Sequence, residues 1–375
     1  MSSAIPLAGI PVFPSSAADN YEFKFVGEGN ANVIFEIIEK SDGAYVNGIF
    51  RGSLLRVPKA GKESHSYLEL QEYWETVIKP LFGREDLVQQ RLVRIRDSAV
   101  ISRLNTTLKG EEDIRRPDFR GSQIAQAEYA MLVEDMRQRR LHSLVSPFHF
   151  PASNVSGVVY EPDHPEDLVL EFKPKWLAQS PNAPKGATRC RTCAHKAYKR
   201  HTKLAANNGT STKTGHNTTI LCPLGLLASG SSPSSLANVI SHFSSPNPPL
   251  TPRAPTPQQQ ARFAHWLQTN TLLPRVRAAQ LANDRAGPLA ADAHDPRFQL
   301  AMTLRDCTCF VRIRADPSAP VQAKLGDLDK KNWAAKLGYW QATERQLIDG
   351  GYYDGREEPR QTTDCQLGKI KAEIE

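Results

Sequence analysis

Lys173 and Lys175 stand two residues apart with a proline between them, in the run Leu170-Glu171-Phe172-Lys173-Pro174-Lys175-Trp176. Proline withholds a backbone donor and disfavours helix in the residue before it, so this segment reads as extended. In extended backbone, positions i and i+2 face one side. The two ammonium groups should then point together, beyond an apolar strand of Leu168, Val169, Leu170 and Phe172. A fixed cationic pair suits a phosphate-rich ligand. Further basic residues follow at Arg189, Arg191, Lys196, Lys199, Arg200 and Lys203. Such a run is usually a solvated face, and nucleic acid would want more stacking rings nearby than Trp176 and Tyr198.

Two acidic positions could complete a reaction centre. Asp306 ends Ala301-Met302-Thr303-Leu304-Arg305-Asp306 just before an apolar strand, and Asp327 begins Asp327-Leu328-Asp329 just after the next one. If those strands pair as a hairpin, Asp306 and Asp327 lie at the same end of it. Phosphoryl transfer asks for such a pair, one carboxylate for the nucleophile's proton and one for Mg²⁺. Turn aspartates that cap loops are the plainer reading of the same positions.

Near the start, Tyr21–Val26 and Val33–Ile38 flank the turn Gly27-Glu28-Gly29-Asn30-Ala31-Asn32. Glycine permits positive φ and close approach of backbone N–H groups, so a strand–turn–strand of this kind can cover nucleotide phosphates. Taken alone, it is more often a plain hairpin. Arg56, on the strand Ser53–Val57, is either the cation paired with those phosphates or a surface arginine. Cys190-Arg191-Thr192-Cys193 has metal-ligand spacing, with His195, His201 and Cys222 further on. No second close pair follows, so reduced buried thiols are expected rather than zinc.

The elements around these residues follow from pattern. The 375 residues allow one large domain or two lobes, and 47 Lys+Arg against 40 Asp+Glu give +7, which leaves an anionic partner plausible. No apolar run approaches the roughly 18 residues of a membrane-spanning helix. No signal peptide is read at the N-terminus, and six cysteines without a framework spacing read as intracellular thiols. Residues 1–19 read as a loose leader. Helices are expected at 66–82, 123–140, 257–269, 275–285 and 330–348, and strands at 309–313 and 321–325. The stretches 205–219 and 229–257 read as surface loops, the second with six prolines between 246 and 257.

Taken in order, Gly27-Glu28-Gly29-x-Ala31-Asn32, Leu55-Arg56-Val57, Glu171-x-Lys173-Pro174-Lys175, Cys190-Arg-x-Cys193, Cys222-Pro223-Leu224, Arg305-Asp306-Cys307-Thr308 and Asp327-Leu328-Asp329 resemble the inositol-pentakisphosphate 2-kinases. The likeness spans about residues 21–345, and the divergent loops resemble fungal members. It implies an α+β, two-lobed, protein-kinase-like fold, with a small β-rich N-lobe (20–135), a larger α/β C-lobe (136–350) and a C-terminal tail (351–375). It also implies an enzyme that moves the γ-phosphate of ATP to the 2-hydroxyl of inositol pentakisphosphate, giving phytate. By the same resemblance Asp306 is the catalytic base and Asp327 the Mg²⁺ ligand. Gly27, Gly29, Asn30, Ala31, Asn32, Arg56, Glu134, Asp135 and Glu171 fall on the nucleotide side. Lys173, Lys175, Lys199, Asn247, Lys331, Tyr339 and Arg116 fall on the inositol phosphate side.

The chain also departs from the family. An arginine expected after the Arg56 strand stands as Gly61 beside Lys62, another stands as Ala335 beside Lys336, and an Asn-Asn pair is reduced to Asn247. Two rival readings follow: a kinase for a less phosphorylated inositol, and a non-enzymatic module that binds polyanions or nucleic acid. The expected partners are ATP and inositol pentakisphosphate, with no membrane and no nucleic acid. A monomer is expected, and nuclear or cytoplasmic residence is implied by the family alone.

Overall fold

The structure is a computed structural model, and it describes residues 9–13, 20–41, 44–46, 50, 52–62, 65–137, 167–206, 221–228, 232–243, 254–292 and 294–368. The chain divides into two compact units, Met1–Pro165 and Glu166–Glu375. Both helices and antiparallel sheets are present, the first unit rich in strands and the second in helices.

Unit 1 is built on an antiparallel sheet. Its strands are β1 (Tyr21–Glu28), β2 (Asn32–Ser41), β3 (Ala44–Val46), β4 (Ser53–Pro58), β5 (Gln90–Arg94) and β6 (Tyr129–Glu134). The order is β1-β2-β4-β6-β5, with β3 on β2. Burial in β1 alternates from Tyr21 to Lys24, as one face on a core requires. Central β4 is buried at Ser53, Leu54, Leu55, Arg56 and Val57 alike, because apolar layers cover both faces. One layer holds Phe23, Phe35, Leu55, Ile101 and Leu104, the last two from α2 (Ser98–Gly110). The other holds Leu92 and Met131 under Tyr67 and Leu70 of α1 (Tyr67–Tyr73). A capping box between Ser66 and Glu69 starts α1, and a π turn at Trp74–Ile78 continues it.

Two expectations for this unit are corrected. The stretch 123–140 is no helix where it is described: its middle is strand β6, paired on both sides with β4 and β5. Nor is the described part of the leader loose. Phe13 donates its N–H to Arg94 O at 2.8 Å, and its ring, 2% exposed, stacks on Phe50.

Unit 2 carries a three-stranded antiparallel sheet, β7 (Leu168–Phe172), β8 (Thr308–Ile313) and β9 (Gln322–Gly326), in that order. Its helices are α3 (Arg191–Ala206), α4 (Pro223–Ala228), α5 (Pro233–His242), α6 (Pro257–Thr269), α7 (Leu272–Asn283), α8 (Pro296–Leu304) and α9 (Trp333–Asp349). Helix α5 lies inside the stretch read as a loop. Ser232 caps it, and Pro233 sits at the first helical position, where its missing N–H costs nothing. Described residues beyond 350 belong to this unit's core, since Tyr352, Tyr353 and Leu367 pack with Cys190, Cys193 and Leu347.

Candidate active site

The sheet of unit 2 explains why five charged side chains meet. In its register Phe172 faces Cys309 and Thr308 faces Gly326. The chain therefore leaves β7 at Lys173, enters β8 from Asp306 and leaves β9 at Asp327, all at one end of the sheet. Lys173 Nζ donates to Asp327 Oδ2 at 2.6 Å and to the Asp306 carbonyl at 2.8 Å. Lys175 Nζ donates to Asp306 Oδ1 at 2.9 Å. Lys331, between β9 and α9, stands 3.3 Å from Asp306 Oδ2 and 4.0 Å from Asp327 Oδ1. The two ammonium groups of the Lys-Pro-Lys run do converge, but Lys175 does so through a left-handed backbone rather than an extended one (φ 55°). Asp327 shares that conformation. Each costs on the order of 1–2 kcal/mol in a residue with a side chain, and such strain collects at functional sites.

The electrostatics follow from that geometry. Burial works against the charge on Asp306, but Lys331, Lys175 and Lys173 outweigh it and hold this carboxyl well below the usual carboxylate range. Burial likewise opposes the charge on Lys173 and on Lys331, and the facing carboxylates raise both above the ordinary lysine value. Glu171, one residue from the strand end, is pushed upward by its burial, with Asp327 adding to the effect and Lys173 opposing it. Asp306 and Asp327 keep 46% and 43% of their side-chain surface open, so a ligand can reach both. Asp327 offers the hard oxygen donor that Mg²⁺ prefers, beside a cation already resting on it.

On α3, exposed Lys199 lies one turn beyond His195, which burial and the charges of Lys199, Arg191, Lys175 and Lys196 keep neutral, with its pKa lowered to about 4. Lys175 thus lies near enough to α3 for its charge to act on His195. Tyr339 is 58% exposed on α9. Asn247 lies outside the described residues.

In unit 1 the glycine turn joins β1 to β2, closed by Gly29 N–H donating to Asn32 O at 2.9 Å. Neither Gly27 nor Gly29 takes a positive φ, and a Cβ at either would meet open space. The glycines thus leave the turn bare rather than bend it. With its oxygen turned to Arg56, the Asn32 amide accepts from Nη2 at 2.7 Å and donates to the Tyr67 hydroxyl at 2.8 Å. Glu28, inside the turn, is sealed in. Its carboxylate takes Arg115 Nε at 2.7 Å and Nη2 at 2.9 Å, and Lys59 Nζ at 2.5 Å. Arg116, beside Arg115, is mostly exposed and pairs with Asp118. The side chains of Glu134 and Asp135 are committed to Gln89 N–H and Arg137, and their own N–H groups donate to Gln89 O at 2.8 Å and Gly52 O at 2.9 Å.

A second cluster in unit 2 could hold a metal. The Sγ atoms of Cys190, Cys193, Cys222 and Cys365 all lie within 4.8 Å of one another. Cys190 to Cys222 is 3.8 Å and Cys222 to Cys365 is 3.9 Å. Zinc–sulfur bonds of about 2.3 Å in a tetrahedron set sulfur–sulfur edges of about 3.8 Å, so the thiols match a tetrathiolate site. Sequence spacing singles out Cys190, Cys193 and Cys222, there read as reduced thiols rather than zinc ligands; the meeting of four thiols changes that reading. Cys365 carried no signal, because nothing in sequence links it to a residue so far upstream. Cys307, by contrast, is buried with its thiol pushed up to about 12 and is inert.

Comparison with known proteins agrees with the motif order. A family model described as inositol-pentakisphosphate 2-kinase matches residues 25–346. A curated protein of that name from Yarrowia lipolytica is 27% identical over 339 residues, covering 89% of this chain and 93% of that protein. Another of the same name, from Eremothecium gossypii, is 27% identical over 334 residues, covering 86% of this chain and 96% of that protein.

Proposed function

The chain belongs to the inositol-pentakisphosphate 2-kinase family, and we propose that it transfers the γ-phosphate of ATP to the 2-hydroxyl of inositol 1,3,4,5,6-pentakisphosphate. The observation that carries this reading is the meeting of Lys173, Lys175 and Lys331 with Asp306 and Asp327 at one sheet end. Five phosphates at roughly −1.5 to −2 each bring about −7.5 to −10 of charge. Such a ligand would draw these three ammonium groups away from the carboxylates they now face, and Lys199 would add a fourth cation.

That exchange supports a role for Asp306. While three lysines surround it, its carboxylate is too weak a base to take a hydroxyl proton. Substrate phosphates that engage those lysines would return basicity to it at the moment the 2-hydroxyl arrives. The 2-oxygen then bonds to the γ-phosphorus as the bond from that phosphorus to the bridging oxygen breaks. ADP leaves with the electron pair, and the proton goes to Asp306. Most of the barrier reduction is positioning and charge neutralisation by fixed groups.

In unit 1 the bare turn Gly27–Asn32, with Arg56 beside it, would receive the phosphates of ATP, and the segment at Glu134 and Asp135 the adenine. Asp327 would hold Mg²⁺, which when bound screens the nucleotide phosphates. Cys190, Cys193, Cys222 and Cys365 would hold a structural zinc ion that fixes the start of α3, and so the helix that carries Lys199. Residence in the nucleus or cytoplasm rests on the family resemblance; no helix among the described residues is long and apolar enough to cross a membrane.

The test is transfer of labelled γ-phosphate from ATP and Mg²⁺ to the pentakisphosphate, with tetrakisphosphates as rival acceptors and Asp306→Asn alongside. Labelled hexakisphosphate from the wild type alone supports the reading. Preferred transfer to a tetrakisphosphate would replace the acceptor. No transfer, with tight Mg²⁺-independent binding, would leave a polyanion-binding module.

A further inference from the structure

Gln280 lies on α7 and is 1% exposed, yet its amide joins the two segments that supply Lys175 and Asp306. Its oxygen accepts the Leu177 N–H at 3.0 Å. Its nitrogen donates to the carbonyl of Lys175 at 2.8 Å and to the carbonyl of Leu304 at 3.3 Å. One planar group thus spans from the left-handed Lys175 to a carbonyl two residues before Asp306. One turn along the chain, Asp284 accepts Arg305 Nη1 at 2.5 Å, and the Arg305 guanidinium lies 3.4 Å from the centre of the Trp176 ring. Residues 175, 176 and 177 are each tied, through α7 or directly, to residues 304 and 305.

We propose that Gln280 is a positioning residue for phosphoryl transfer: it holds Lys175 in its left-handed conformation and sets the distance between the Lys175 ammonium and the Asp306 carboxylate. The residue type fits the task. A buried side chain here must present one acceptor and two donors in a single plane, which glutamine does. Glutamate keeps the acceptor and loses both donors, and methionine keeps the shape and loses all three. A core glutamine that merely satisfied its neighbours would do so anywhere. This one grips the carbonyl of a strained residue, where a free peptide would relax and carry the lysine with it.

The inference rests on the proposed reaction, and its test separates the two. Gln280→Met and Gln280→Glu are compared with the wild type in Mg²⁺-dependent transfer, in pH profile, and in calorimetric binding of the pentakisphosphate without ATP. In both variants kcat should fall about 10- to 100-fold and KM for the inositol phosphate should rise severalfold, with KM for ATP within about twofold. The acid limb of kcat/KM should move to higher pH, because Asp306 loses one of the cations that lower its pKa. The double variant Gln280→Met with Lys175→Met should bind the pentakisphosphate no more weakly than Lys175→Met alone, since the lost amide acts through that lysine. Wild-type kcat, KM and acid limb in the glutamate variant, with only a lower Tm, would overturn the proposal. If Gln280→Met does not fold, Gln280→Glu, which retains the Leu177 contact, decides alone. A wild type that binds the pentakisphosphate but transfers nothing would end the reading of the reaction, while the binding comparison with Lys175→Met would still report on Gln280.

Discussion

The Lys331 ammonium stands 3.3 Å from Asp306 Oδ2, opposite Lys175, which reaches Oδ1 of the same carboxylate at 2.9 Å. Of the charges that lower the Asp306 pKa, Lys331 is the largest. Lys331→Met should therefore raise that pKa toward the ordinary carboxylate value. The acid limb of kcat/KM should shift to higher pH, with activity at pH 7 reduced about 10- to 100-fold by the lost phosphate contact. A rate–pH profile of the variant checks both, and an unmoved acid limb would remove Asp306 as the titrating base.

Asp306→Asn keeps the shape of the side chain and removes its charge and basicity. Transfer should drop by about 10²- to 10⁴-fold, the usual share of a general base. Affinity for the pentakisphosphate should hold or improve, because a negative group leaves a site that receives a polyanion. Single-turnover rates beside calorimetric titration measure the two effects separately. Equal losses in rate and affinity would mark Asp306 as a structural group.

The four-thiol cluster predicts a metal. Purified protein should carry one zinc per chain by elemental analysis, and Cys365→Ser should lose it. Because binding of a structural metal is coupled to folding, the loss should lower Tm by about 5 °C or more. Metal-free wild type with an unchanged Tm after treatment with a strong chelator would refute the site.

Glu28 anchors two buried cations, Lys59 and Arg115, whose side chains are both 0% exposed. Glu28→Ala takes the carboxylate from Lys59 and leaves Arg115 with Glu112, and removing one member of a buried ion pair costs about 3–5 kcal/mol. Urea unfolding should show that loss in unit 1. A variant within about 0.5 kcal/mol of the wild type would mean that water reaches these charges.

Much of the site was legible because short-range pattern fixes it. Proline beside Lys173 and Lys175 sets that pair beyond one strand, and a hairpin of the next two strands sets Asp306 and Asp327 at one end of it; the meeting of the two pairs needs the pairing of β7 with β8. The misreadings share a cause. Tyr129–Glu134 contains Ala, Met, Leu and Glu, residues that favour helix, yet the segment is a strand because β4 and β5 flank it and apolar layers cover it. The left-handed turn at Lys175, the grip of Gln280 and the arrival of Cys365 depend on contacts between segments far apart in sequence, which no local pattern encodes.

Lys173 and Asp327, in contact at 2.6 Å, are separated by 154 residues, and Lys175 and Asp306 by 131. During synthesis the lysine strand therefore emerges long before the strand it pairs with. For the many seconds needed to add those residues, β7 has an apolar face and an unpaired edge with no native partner. Chaperone dependence should concentrate in that interval, and a chain released before residue 327 would carry the lysines without the carboxylates they need.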